Sequence, residues 1–290
     1  MVYIMKTFRP TLILAAICLC ASSLHAVTWT EIDFPGASAT LLSGINNNGD
    51  IVGSYLNSGS FTIHGFVDVG GVFTTVDPPG TVFTEAYAIN DSDAIVGSFS
   101  NDNQTNQGFL LQSSTYTTID FPGAINTWCY GINNAGQIVG FYEDASFITH
   151  GFELSGTTFT TIDVSPGTST FARGINNNGD IVGIITTGPQ NQPSGFLISG
   201  GVTTILRAPV PHSRTQAYAI NDFGRVVGYV SDQTHARGLS YFNGNYLLLS
   251  DPNIPASDLV YTYGINKAGS IVGEYVDSTS IEHGLLRTPN

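Results

Sequence analysis

The chain has 290 residues, with 22 Asp and Glu against nine Lys and Arg for a formal charge of −13, and only 11% of its residues are charged. Soluble domains average roughly 25% charged, so a charge-poor, acidic chain with 33 glycines points to turn-rich β structure. The same balance excludes nucleic acid as an expected partner, because phosphate binding depends on clustered Lys and Arg that release counterions.

Residues 1–26 have the form of a secretory signal. Lys6 and Arg9 supply the positive start, Thr11 to Leu24 the apolar stretch and Ser22 to Ala26 the small-residue exit. The uncharged run is shorter than the roughly 20 residues that span a bilayer, so export with cleavage is predicted, not a membrane span. Residues 27–290 then keep seven basic residues against 22 acidic ones and a single thiol, Cys129. With no partner cysteine there is no internal disulfide to form, and stability has to come from packing. The tail from Leu285 to Asn290 carries no apolar anchor. The expected product is a soluble monomer, secreted or periplasmic.

The mature segment opens on Thr30-Glu31-Ile32-Asp33-Phe34-Pro35-Gly36, a strand running into a Pro-Gly turn. A small-Ile-Asn triplet, a Gly-bearing turn and an Ile-Val-Gly phrase then recur six times. The repeated isoleucines are Ile45, Ile89, Ile132, Ile175, Ile220 and Ile265, spaced by 44, 43, 43, 45 and 45 residues. A period of roughly 40 to 45 residues holding several short strands belongs to a propeller blade, whereas a solenoid coil uses about half of that. The third copy shows four strands: A at 129–133, B at 138–142, C at 150–154 and D at 159–163. After His283-Gly284-Leu285-Leu286 the last copy has no D strand, and Thr30 to Gly36 is a D strand with no A, B or C before it. The sequence therefore predicts an all-β, six-bladed β-propeller of four-stranded blades over residues 27–290, its ring closed by the N-terminal strand beside Leu285.

His64 and Asp77, and His150 and Asp163, are each 13 residues apart. Gly70-Gly71 lies midway in the first pair, and such dipeptides favour two-residue hairpin turns, which places the His and Asp opposite each other on strands C and D. Closure adds a third pair, His283 with Asp33. Gln107 stands opposite Asp120, and the fourth copy is read as a shorter hairpin with Ser194 and Leu206. A motif repeated around a ring suits a structural pair, because a catalytic dyad needs one nucleophile and one oxyanion hole.

Asn46-Asn47-Asn48-Gly49-Asp50 and its relatives are read as turn formers, since Asn and Gly tolerate left-handed backbone angles. A calcium loop would need more carboxylates than one Asp among amides. No metal site and no cofactor motif is expected. Catalytic signatures such as a Gly-x-Ser-x-Gly elbow or His-Glu-x-x-His are missing.

If strand D is outermost, strand A lines the channel. Aligned on the repeated Ile, two positions vary while the scaffold repeats. The first holds Leu41, Glu85, Trp128, Phe171, Gln216 and Tyr261; the second holds Ser43, Tyr87, Tyr130, Arg173, Tyr218 and Tyr263. Residues two apart share a strand face. Glu85, Trp128, Phe171, Arg173, Tyr218 and Tyr261 are taken as a candidate rim, where aromatic platforms with a few polar groups suit a glycan or peptide ligand. Inter-blade packing is the competing role for the same aromatics.

The phrases Gly-Ile-Asn-Asn-x-Gly-x-Ile-Val-Gly, His-Gly-Phe (His64 to Phe66, His150 to Phe152, with His283-Gly284-Leu285) and Thr-Thr-Ile-Asp-Phe-Pro-Gly resemble the HAF repeats of bacterial extracellular proteins. The resemblance covers essentially all of the mature segment and implies export and a repeat fold. It implies no particular activity. Two function classes follow from the sequence: a noncatalytic binding or interaction scaffold, which is favoured, and a propeller hydrolase or lyase acting on extracellular polysaccharide. A purely structural envelope or matrix role is the third alternative.

Overall fold

The computed structural model describes residues 27–60, 62–102, 104–166, 168–187, 192–211, 213–232, 235–251, 254–255 and 259–289. The segment read as an export signal, residues 1–26, lies outside them. The described strands form six antiparallel four-stranded sheets, arranged as a six-bladed propeller. In blade 3 the strands are A (Asn126–Ile132), B (Ile138–Glu143), C (Thr149–Ser155) and D (Thr158–Ile162), and the other blades repeat this order.

Short alternating strands broken at Gly and Asn leave no run suited to a helix. The C–D hairpins turn where the Gly-Gly and Asn-Gly dipeptides stand: Gly70 and Gly71 have φ of 60° and 88°, and Asn243 and Gly244 have 47° and 82°. These are the left-handed angles that a hairpin turn matched to strand twist requires.

The core lies between blades. One cluster joins Val96 and Ile119 of blade 2 to Cys129, Ile138 and Phe152 of blade 3, and another joins Leu42 and Phe66 of blade 1 to Val272 of blade 6. The middle residue of the Ile-Val-Gly phrase is sealed in every blade, and Phe66, Phe109, Phe152 and Phe196 of the His-Gly-Phe phrase are fully buried. Each such side chain removed from water contributes about 1.5–3 kcal/mol. The Asp-Phe-Pro-Gly turns add stacking across the gap, with Phe34 on Tyr55 at 3.7 Å and Phe121 on Tyr142 at 3.6 Å between ring centroids.

The asparagine that follows each repeated Ile ties all six blades together. Asn46 Nδ2 donates to the carbonyl oxygen of Asn90, Asn90 to Asn133, Asn133 to Asn176, Asn176 to Asn221, Asn221 to Asn266 and Asn266 back to Asn46, at 3.1–3.3 Å. The Oδ1 of each accepts from backbone N–H groups of its own turn, as when Asn133 receives Ala135 N and Gln137 N. All six are nearly buried, so this cyclic network satisfies polar groups that would otherwise be desolvated without partners.

The ring closes as the sequence predicts. Val27–Glu31 is the outer strand of blade 6 and pairs with Glu282–Pro289, from Val27 opposite Pro289 to Glu31 opposite Leu285. The strand begins earlier than the Thr30 start expected from sequence. Ile32 N extends the ladder to Gly284 O at 2.9 Å, and Asp33 lies just beyond it.

Asp33 is where the third predicted pair forms: His283 Nδ1 lies 2.8 Å from Asp33 Oδ2. The other two are present as well, His64 Nδ1 to Asp77 at 2.6 Å and His150 Nδ1 to Asp163 at 2.9 Å, and Gln107 Nε2 donates to Asp120 at 3.0 Å. In blade 4 the register corrects the sequence reading. Gly195 faces Leu206, so Ser194 stands opposite Arg207, whose Nε donates to Ser194 Oγ at 3.1 Å. The hairpin is not shorter; it keeps the 13-residue spacing and exchanges an imidazole-carboxylate pair for a guanidinium-hydroxyl pair.

Each histidine also stacks on a strand-B tyrosine: His64 on Tyr55, His150 on Tyr142 and His283 on Tyr275, at 4.9–5.4 Å. His283 has carboxylates on both nitrogens, with Glu31 at 3.9 Å beside Asp33 and Asp277 at 3.8 Å from Nε2. Burial works to lower its pKa, but the Asp33 hydrogen bond and the three acidic charges outweigh that and hold it above the ordinary histidine value.

Asn133→Ala orphans the buried Asn176 carbonyl and leaves the part-buried N–H groups of the Ala135–Gln137 turn without their acceptor, and is expected to cost about 2–3 kcal/mol in denaturant unfolding; a loss under about 0.5 kcal/mol would contradict a stabilising ring. Deleting residues 27–36 exposes the edge of Glu282–Pro289 and is expected to give aggregated or strand-exchanged protein on size exclusion with light scattering. A monodisperse deletion variant of unchanged Tm would contradict closure. Because the folded pKa of His283 is raised, its stabilisation is complete below about pH 6.5 and is lost as pH climbs through the folded value. The Tm difference between the parent protein and His283→Gln should therefore be widest near pH 6 and shrink toward pH 9; a difference that grows with pH would refute the assignment.

Candidate functional site

The propeller axis is bounded by the six A strands. Every one of them carries a β-bulge: the register against strand B shifts between Leu42 and Gly44, Ala86 and Ala88, Cys129 and Gly131, Ala172 and Gly174, Ala217 and Ala219, and Thr262 and Gly264. The extra residue in each bulge is Ser43, Tyr87, Tyr130, Arg173, Tyr218 or Tyr263. A bulge places two residues opposite one and re-aims a side chain, and here all six point to one cavity on the axis, of about 180 Å³, lined also by Leu41 and Glu85.

The Gly of Ile-Val-Gly is what permits the bulge. A Cβ at Gly53 or Gly140 would overlap the carbonyl oxygen of Leu41 or Trp128 on strand A. Beyond the bulges the axis tightens at Gly44, Ala88, Gly131, Gly174, Ala219 and Gly264, where a Cβ on Gly44 would come within 2.7 Å of Tyr87 O in the next blade. The channel then ends at the asparagine ring, in a second cavity of about 80 Å³ bordered by Asn47, Asp91, Asn134, Asn177, Asp222 and Lys267.

The wide cavity is asymmetric. Blade 1 contributes only Leu41 and Ser43, while the other blades contribute rings and charges. Tyr87 and Tyr130 stack at 3.9 Å between centroids, and Tyr218 meets Tyr263 edge-on at 4.9 Å. Tyr87 donates its hydroxyl hydrogen to Glu85 and accepts from Ser98 Oγ at 3.3 Å. Burial pushes the Glu85 carboxyl above the ordinary range, with the Tyr87 hydrogen bond and the Arg173 charge holding part of that back. Behind Tyr263, whose hydroxyl donates to Glu274 at 2.8 Å, burial pushes the Glu274 carboxyl up to about 7. A guanidinium, one carboxyl disposed toward protonation and four phenols thus surround one small volume, with the Glu274 carboxyl behind the Tyr263 hydroxyl.

Of the residues that the sequence assigns to a rim, Glu85, Arg173 and Tyr218 line the cavity. Trp128, Phe171 and Tyr261 are not among its lining. Trp128 stacks on Phe141 at 4.8 Å, Phe171 meets the same ring edge-on at 5.0 Å, and Tyr261 meets Tyr229 edge-on at 4.8 Å. These three residues are half-buried and pack beside strand B. Tyr87, Tyr130 and Tyr263 stand in the cavity too, because the bulge delivers its extra residue to the axis in every blade, whereas the residue two before it reaches the cavity only in blades 1 and 2. A third variable position, opposite the first on strand B (Ser54, Ser98, Phe141, Ile184, Tyr229, Glu274), escaped the sequence reading; its signal was variation directly after an unvarying Ile-Val-Gly or Val-Val-Gly. Cys129 is fully enclosed, and burial raises its thiol pKa, which leaves no reactive thiolate there.

Among the described residues, Glu31, Asp33 and His283 form the one cluster of acidic and imidazole groups close enough to share an ion. It lies at the ring seam, where the contacts described above already engage its members.

No protein-family model matches the sequence, and no curated protein matches it. Among solved structures the chain is similar to the Aleuria aurantia lectin in complex with Fucα1-6GlcNAc, at 10% identity over 86% of this chain and 93% of that one, with a TM-score of 0.54. That lectin is described as a six-bladed β-propeller with a novel fucose recognition mode. AofleA from Arthrobotrys oligospora is similar at 10% identity over 90% and 86% of the two chains (TM-score 0.55), and TolB from Acinetobacter baumannii at 13% over 89% and 65% (TM-score 0.50). At such identities the likeness establishes the fold alone.

Proposed function

We propose that this protein is an exported, monomeric, noncatalytic binding propeller whose axial cavity takes a glycan. The observation that carries this reading is the contrast between scaffold and bulge. Ile, Asn, the Val before Gly and that Gly repeat around the ring, whereas the six residues delivered to the axis include four tyrosines, one arginine and one serine and converge with Glu85 on a single cavity. Tyrosine faces cover the apolar face of a sugar while hydroxyl, carboxyl and guanidinium groups read its hydroxyls. The volume corresponds to about six waters at ~30 Å³ each, which suits one sugar unit held end-on rather than a long chain. The lectins of similar fold lend general support, since they place glycan recognition on the same architecture; the signal-like N-terminus and the resemblance to HAF repeats support export.

One observation favours a second reading. A cavity carboxyl disposed toward protonation, Glu85, is what a general acid in glycoside cleavage requires. The two readings part on turnover. A glycan array followed by incubation with the bound sugars should show retention without new reducing ends or unsaturated products; product release that disappears in Glu85→Ala would establish the enzyme instead. Glu85→Ala is expected to weaken retention about tenfold or more, whereas Trp128→Ala, outside the cavity lining, should lower stability and leave affinity within about twofold of the parent. The reverse pattern would displace the site from the axis.

A further inference from the structure

We infer that the ligand of the axial cavity is an acidic sugar, its carboxylate received by Arg173. The inference rests on the glycan reading above and adds the ligand's charge to it. Arg173 is the bulge residue of blade 4 and lines the cavity. Its Cζ lies 3.9 Å from the centroid of the Tyr130 ring, 4.9 Å from Phe141 and 5.1 Å from Tyr218. These rings occupy the faces of the guanidinium and fix its plane, which leaves in-plane N–H groups as the means of recognition.

Those groups are under-used. Nε is buried and has no hydrogen-bond partner. The ion pairs among the described residues all have histidine as their cation, so no carboxylate comes within 4.0 Å of Arg173. In a chain carrying a net charge of −13 acidic partners were plentiful, yet this half-buried cation has no carboxylate within ion-pair distance. Burying a charge is costly unless it is paired and hydrogen-bonded. The arrangement makes physical sense when the counter-charge arrives with the ligand, because a planar fork matches a carboxylate through two parallel bonds.

Glu85 narrows the class further. It borders the same cavity, and burial favours its neutral form more strongly than the Tyr87 hydrogen bond and the Arg173 charge favour the ionised one. A singly charged carboxylate is compatible with such a neighbour, whereas a dianionic phosphate would repel any residual charge there. The aromatic walls supply the surface for the sugar ring itself. Arg173 is thus assigned as the specificity-determining residue, and the tyrosines as the generic platform.

The test is an array of galacturonate and glucuronate oligomers, their methyl esters, the neutral galactose and glucose counterparts, and 6-sulfated galactose, probed with the intact mature protein and with Arg173→Gln and Arg173→Lys. The acids should bind at least about tenfold more tightly than their esters, with the ratio falling to about one in Arg173→Gln and to an intermediate value in Arg173→Lys, where charge is kept and the fork is lost. Equal binding of acid and ester, a preference for the sulfated or neutral sugars, or an unchanged acid preference in Arg173→Gln would overturn the inference and leave the glycan reading intact. Failure of every sugar to bind would bring down both. If Arg173→Gln does not fold, the parent acid-to-ester ratio and the Arg173→Lys variant decide the matter.

Discussion

A closed ring of six asparagine side chains is the contact on which the rest of this propeller depends. Each Nδ2 donates to the backbone of the next blade while each Oδ1 holds its own A–B turn, so one residue type fixes a turn and joins it to its neighbour. The last bond, Asn266 to Asn46, spans 220 positions of sequence and exists only in a closed ring. A second, exposed circuit lies outside it, with Asn47 to Asp91, Asn134 to Asn177 and Asn177 to Asp222. Being open to water, that outer circuit contributes less, because solvent competes for every bond.

The inner ring also explains why the asymmetric cavity sits where it does. With asparagines crowding one end of the axis and small residues drawing the A strands together in the middle, more open volume remains where the bulges begin, about 180 Å³, than at the asparagine end, about 80 Å³. The bulge is a repeated structural device whose single extra residue is under no packing demand shared by all blades. Gly53 and its equivalents accommodate the approach of the strand-A carbonyl, and Leu42, Ala86, Cys129, Ala172, Ala217 and Thr262 fill the space behind. The bulge residue is thereby released to differ from blade to blade, so a sixfold scaffold can carry a site with no symmetry.

The His-Asp pairs illustrate a different use of repetition. They occur where strand B supplies a tyrosine to stack on: Tyr55, Tyr142 and Tyr275 face His64, His150 and His283. Where that position is Phe99, Ile185 or Val230, the partner is Gln107, Ser194 or Arg237. Imidazole and tyrosine thus vary together, which marks them as packing elements, while blade 2 keeps the carboxylate as Asp120 opposite Gln107. The pair at the seam differs in that its halves come from the two ends of the described chain and in that Glu31 adds a further carboxylate beside Asp33.

The period, the strand content, the six blades and the seam could all be read from the spacing of the repeated isoleucines, because blade size is set by local strand and turn chemistry that each copy encodes within itself. Part of the cavity lining was legible too, since Glu85, Arg173 and Tyr218 were picked out by differing where the scaffold repeats. What tertiary structure alone decided was which variable residues reach the cavity: both in blades 1 and 2, and only the bulge residue in the other four. Strand alternation puts Trp128 and Tyr130 on one face; the bulge after Cys129 breaks that parity and sends Tyr130 to the cavity and Trp128 to the flank. The asparagines appeared in sequence as ordinary turn formers, because their second role is to meet a carbonyl one blade away, and that contact comes into being only when the ring has closed.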